Sequence, residues 1–176
     1  GCECERGHED PAALAAQCRP GDSVTGWSTD VGAWPVRRGS RRPHVAGTTT
    51  RSLVVPAPLL PRLWERGRGP LPRGADVVFA PTVLAPPRRP HGPAVVATIH
   101  DAVPWTAPET MTPRGLAFHR RMIERIAREA DAVVVPTEAV AAQLTRHVPQ
   151  LQADRVHVIG EGVAAATSAP TDGGRS

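Results

Sequence analysis

Ala94-Val95-Val96-Ala97-Thr98-Ile99-His100-Asp101 and, further on, Ala132-Val133-Val134-Val135-Pro136-Thr137-Glu138 decide how this chain folds. Each is an unbroken apolar run, rich in β-branched residues, that stops at polar side chains. Short runs of this kind, without alternation, predict strands buried on both faces of a parallel sheet. Two shorter copies flank them: Asp76-Val77-Val78-Phe79-Ala80, closed by Pro81, and Val156-His157-Val158-Ile159. Between the quoted runs, Thr112-Pro113 supplies a helix N-cap and a proline at the first helical position. Leu116, Met122, Ile123, Ile126, Ala127 and Ala130 then fall mostly on one face, while Arg120, Arg121, Glu124, Arg125 and Arg128 cover the rest. Glu124 precedes Arg128 in the order that favours an ion pair along a helix. A second helix is predicted over residues 138–147, capped by Thr137, with Val140, Ala141, Leu144 and Val148 inward and Pro149 as its stop. Strand, helix, strand, helix, strand is an α/β layout: a Rossmann-like parallel sheet flanked by helices.

The pattern weakens upstream. Asp10-Pro11 ahead of residues 12–17 predicts a short helix, and residues 23–27 and 52–55 read as short strands. Residues 36–50 are mostly Arg, Gly, Ser and Thr without apolar periodicity and read as loop or disorder. Residues 59–66 suit a helix that Pro61 forces to start late. The expected organisation is therefore a poorly ordered N-terminal region over residues 1–72, the Rossmann-like unit over 73–163, and a flexible tail over 164–176.

A length of 176 residues suffices for one domain with a real core. The formal charge is +4, all 21 basic residues are arginine, and lysine, asparagine and tyrosine are absent. Arg, Ala, Gly and Pro have GC-rich codons, so the basic character points to a GC-rich, actinobacterial genome. It does not point to a nucleic-acid partner, because the arginines are scattered and only four Trp and two Phe are present to stack on bases. Cys2, Cys4 and Cys18 form no disulfide framework, and Cys2-x-Cys4 beside His8 is too tightly spaced for structural zinc. No metal or cofactor is expected. With no membrane-length apolar run and no signal-peptide layout, the reading is a cytoplasmic protein, with peripheral work at the inner membrane surface left open.

In open α/β sheets ligands bind beyond the carboxyl ends of the strands. Four places qualify: Pro81-Thr82, His100-Asp101, Thr137-Glu138, and the turn containing Gly160 and Gly162. His100 reads equally as a donor to a sugar oxygen and as a ring tying its own loop to a backbone carbonyl. Asp101 suits bracing a turn by accepting backbone N–H bonds better than acting as a base. Thr137 caps a helix on either reading, and the exposed N–H groups beside Thr137 and Glu138 suit an anion or a sugar oxygen. Gly160 and Gly162 read as a plain turn or as a hinge toward a second domain. No Gly-x-Gly-x-x-Gly, Walker loop or Ser/His/Asp grouping in recognisable context accompanies them, so the chain shows no self-contained nucleotide or nucleophile site.

Taken in order, Ala75-Asp76-Val77-Val78-Phe79-Ala80-Pro81-Thr82, Val96-Ala97-Thr98-Ile99-His100-Asp101, Ala130-Asp131-Ala132-Val133-Val134-Val135-Pro136-Thr137-Glu138 and Asp154-Arg155-Val156-His157-Val158-Ile159-Gly160-Glu161-Gly162-Val163 resemble the N-terminal, acceptor-side domain of GT-B-fold glycosyltransferases of family 4. The resemblance implies retaining transfer of a hexose or mannose-type sugar from a nucleotide-diphosphate sugar to an acceptor, without a metal. It sets His100 in the cleft near the transferred sugar, with Thr137 and Glu138 facing the same cleft. The family's glycine-rich loop near the N-terminus, its first strand, and its donor domain with a cationic phosphate clamp find no match, so the expectation is an incomplete and inactive fragment. Thr137-Glu138 also stands where a serine-containing turn is usual. The competing readings are a non-catalytic binding or scaffold module with the same fold, and a basic nucleic-acid-associated protein.

Overall fold

The computed structural model describes residues 24–28, 48–53, 55, 56 and 58–160. The helix expected over residues 12–17, the cysteines, Gly162 and the tail lie outside the described residues. In chain order the elements are β1 (Val24–Ser28), β2 (Thr48–Ser52), α1 (Leu60–Glu65), β3 (Val77–Ala80), β4 (Ala94–Thr98), α2 (Val103–Thr106), α3 (Pro113–Glu129), β5 (Ala132–Val135), α4 (Glu138–His147) and β6 (Val156–Val158). β1 and β2 pair in parallel, and β3-β4-β5-β6 form a separate sheet, in sequence order and parallel throughout. The α/β reading therefore holds. The strand expected at 52–55 does not. Its residues up to Ser52 belong to β2, which begins at Thr48 inside the stretch read as loop. Three consecutive threonines are good strand formers even where no apolar alternation marks them.

Among the described residues, one face of the main sheet is covered more fully than the other. Val95 and Ala97 of β4 and Val133 and Val135 of β5 are buried against Ile123, Ile126 and Ala127 of α3 and Leu144 of α4. Ala94, Val96, Ala132 and Val134 on the other face are only half-buried, Thr98 at the end of β4 is buried there, and in β3 Val77 and Phe79 are 56% and 44% exposed. The expectation of burial on both faces is corrected for β3 and holds only in part for β4 and β5: unbroken apolar runs do not report how fully each face is covered.

The helix boundaries follow from their caps. The Thr112 side chain accepts from the Gly115 N–H at 3.1 Å and the Thr137 side chain from the Val140 N–H at 3.2 Å, as their spacing from the helix starts demands. At the other end of α3 the orphan carbonyls of Ala127 and Ala130 receive the guanidinium of Arg155, at 2.6 and 2.7 Å. α1 ends at Gly67, whose φ of +64° suits a residue without a Cβ.

Two expectations for α3 fail together. Arg125, assigned to the solvent face, is only 4% exposed. The ion pair along the helix runs from Arg125 to Glu129 at 3.1 Å, not from Glu124 to Arg128. Arg125 donates to the carbonyls of Ala85 and Pro86, so it faces the long β3–β4 connection. A guanidinium can be buried only where carbonyls and a carboxylate receive its protons.

Asp131 joins the starts of β4 and β5. Its Oδ2 accepts from the Val95 N–H and from Arg88 Nε, each at 2.8 Å, while its own N–H donates to the Val95 carbonyl at 2.9 Å. Partial burial works to raise its pKa, but the bonds from Val95 and Arg88 outweigh it and hold the carboxyl below the ordinary aspartate range. A depressed folded-state pKa contributes stability that is present above the unfolded value, about 3.9, and is lost as pH falls through the folded value. Asp131→Asn is therefore expected to be less stable than the parent at neutral pH. In denaturant titrations the two should converge below about pH 4. A gap that stays constant into strong acid would show that the charge is not what stabilises this junction.

Candidate functional site

All four strands of the main sheet run the same way, so their carboxyl ends form one edge. The register brings the edge residues into order: Thr98 pairs with Val134, and Val135 with Val158. The Ile99 N–H donates to the Val134 carbonyl and the Ile159 N–H to the Val135 carbonyl, both at 2.9 Å, so pairing persists just past the strands. His100 with Asp101, Thr137 with Glu138, and Gly160 thus emerge side by side on adjacent strands, about 5 Å apart per strand.

His100 is half-buried, and its Nε2 lies 2.8 Å from the Pro81 carbonyl. A carbonyl only accepts, so Nε2 carries the proton, and in the neutral ring Nδ1 is the lone-pair nitrogen. This bond ties the end of β4 to the end of β3. It is the loop-tying contact that the sequence left open, and it makes Nε2 the donor of this bond. Asp101 Oδ1 accepts from the Val103 N–H at 2.9 Å, bracing the turn that opens α2. The short helix α2 was not expected from sequence. It is held from above by α3, where Arg120 donates to the Pro104 carbonyl through Nε at 3.0 Å and Nη2 at 2.6 Å. The Arg120 guanidinium also sits 5.9 Å from the Trp105 ring centroid, and His147 of α4 stacks with the same indole at 6.2 Å. The short helix α2, which follows the loop carrying His100 and Asp101, is thereby held by both α3 and α4.

Thr137 spends its hydroxyl oxygen on the α4 cap. Glu138 is exposed in the first turn of α4, where a carboxylate complements the helix dipole. It borders an open groove of about 720 Å³ between α4 and β6, lined also by Ala141, Thr145, Val156 and Val158. Another groove, about 630 Å³, lies at the opposite edge of the sheet, beside Asp76 and His91. Neither is lined by His100 or Asp101. At Gly160 an added Cβ would meet nothing within 4 Å and the φ is not left-handed, so no contact demands glycine there. Among the described residues no group of three His, Cys, Asp or Glu side chains could hold a metal, and no helix is long and apolar enough to cross a membrane.

The sequence reading missed the Pro81 carbonyl as the partner of His100, and Arg125 behind it. The three prolines Pro81, Pro86 and Pro87 were the available signal. They stiffen the connection, and their carbonyls still need donors.

A parallel α/β unit with polar side chains gathered at the carboxyl edge of its strands defines the class, since that edge is where open α/β sheets generally take their ligands. A family model described as Glycosyltransferase Family 4 matches residues 13–166. The chain belongs to glycosyltransferase family 4. That match begins well upstream of Ala75, where the first of the resembling segments starts. No curated protein and no solved structure matches the chain.

Proposed function

We propose that this chain forms the acceptor-facing lobe of a retaining glycosyltransferase that moves a hexose or mannose-type sugar from a nucleotide-diphosphate donor. In this reading His100, Asp101, Thr137 and Glu138 line the sugar side of the cleft, and Gly160 with Gly162 leads toward the donor side. The observation that carries it is the fixed His100 ring on the shared carboxyl edge, bonded through Nε2 to Pro81. A histidine held this way is oriented before a sugar arrives and spends no binding energy on orienting itself.

The charge on this edge supports the same division of labour. The turns at residues 81–84, 99–104, 136–138 and 159–160 carry Asp101 and Glu138 but no arginine. A departing nucleotide diphosphate needs cations or helix N-termini where its charge develops. Two carboxylates repel it, so the diphosphate belongs on a facing lobe. The test uses the 176-residue chain with a panel of nucleotide-diphosphate hexoses and an alkyl hexoside as acceptor probe. No transfer or donor hydrolysis is expected. The hexoside at millimolar concentration should shift the amide signals of residues 99–103 more than a nucleoside diphosphate does. Turnover by contaminant-free material, or a stronger response of that loop to the nucleotide, would overturn the assignment.

A further inference from the structure

His100 depends for its partner on a carbonyl that a distant side chain holds in place. Pro81 has its φ fixed by its ring, so the direction of its carbonyl is set by ψ, and ψ by where the next residues go. Those residues form a tight strap. The Leu84 N–H donates to Thr82 Oγ1 at 3.2 Å, and the Ala85 N–H to the Val83 carbonyl at 2.9 Å. The far end of the strap is gripped from α3: Arg125 Nη2 donates to the Ala85 carbonyl at 2.5 Å and Nη1 to the Pro86 carbonyl at 3.3 Å. Glu129 Oε2 takes a second bond from Nη1 at 3.1 Å and keeps the guanidinium in that orientation. Residues 85–87 are buried, and two of them are proline.

We infer that Arg125 is a positioning residue for His100. It anchors residues 82–86 so that the Pro81 carbonyl meets Nε2–H, and it thereby favours the ring form that carries the proton on Nε2. Arg125 touches no substrate in this arrangement and acts only through the strap. The inference rests on His100 being the histidine of the site. The ring state can nevertheless be read whether or not transfer occurs, so the two ideas fail separately.

The experiment is a long-range nitrogen–proton spectrum of the full chain labelled at its seven histidines, with His100 assigned through His100→Gln. In the parent, the His100 nitrogens should show a predominant Nε2–H form. In Arg125→Met the ratio of that form to its alternative should fall about fivefold, the equivalent of losing one ordinary hydrogen bond. Arg125→Lys keeps the charge but cannot span both carbonyls, and should fall in between. Arg155→Met is the control, because Arg155 caps α3 at its far end, at Ala127 and Ala130. It should lower the melting temperature and leave the His100 ratio unchanged. If Arg125→Met does not fold, the Lys variant alone decides: a parental His100 ratio there overturns the proposal. So does an equal change in Arg155→Met, which would mean that general loosening moves the ring.

Discussion

His100→Ala, placed in a two-domain transferase of this family, is expected to lower turnover about ten- to a thousandfold, the range for one positioned polar contact to a reacting sugar. Stability should change little. The residue sits past the end of β4 and is half-buried, and loss of its bond to the Pro81 carbonyl costs about 0.5–1.5 kcal/mol. The purely structural reading of the same bond predicts the reverse: a lower melting temperature with full turnover per folded molecule. Measuring both on one preparation separates them. Asp101→Ala provides the contrast, since its carboxylate braces the Val103 N–H at the start of α2. It should melt early and lose turnover chiefly through misplacement of the His100 loop. If His100→Ala melts early and still turns over at the parental rate, the ring is only a tie between β3 and β4.

The parts of this site that were legible in the sequence are those governed by local chemistry. Thr112 and Thr137 each stand at the start of a helix and accept the N–H three residues on, because an N-cap needs only a short side chain and the right spacing. The parallel layout followed from apolar runs separated by helices, and the carboxyl-edge rule then pointed to His100, Asp101, Thr137 and Glu138 without any structure. What stayed hidden depends on partners far apart in the chain. β2 has an unremarkable Thr-rich sequence and is a strand because β1 lies beside it. Val77 and Phe79 look like core and are exposed, since periodicity reports what a strand can bury and not what arrives to cover it. Arg125 occupies a helix position that reads as solvent-facing, and only the return of residues 85–87 against α3 makes it interior.

Among the described arginines, Arg125 should for that reason be the costliest to lose. Arg125→Met retains most of the apolar stem but removes the donors for the Ala85 and Pro86 carbonyls, both on buried residues, and leaves Glu129 without its partner. Each buried acceptor left unmet costs about 1–3 kcal/mol. Against this stands a gain, because the Arg125 Nε is buried without a hydrogen-bond partner and its desolvation is relieved on removal. Burial pulls the guanidinium below its ordinary pKa range while Glu129 pulls the other way, so the charge is held at some expense. The net expectation is a loss of about 2–5 kcal/mol, within the range for breaking a buried charged pair from one side. Arg128→Ala, one turn away on the exposed face, should stay within about 0.5 kcal/mol of the parent. Urea titration reads both. The Met variant should show a lower midpoint at an unchanged slope, since the surface exposed on unfolding is the same. A loss below about 1 kcal/mol would mean that water reaches the two carbonyls once the guanidinium is gone. The strap would then keep its place through its prolines alone, and the link from α3 to His100 would have no energetic basis.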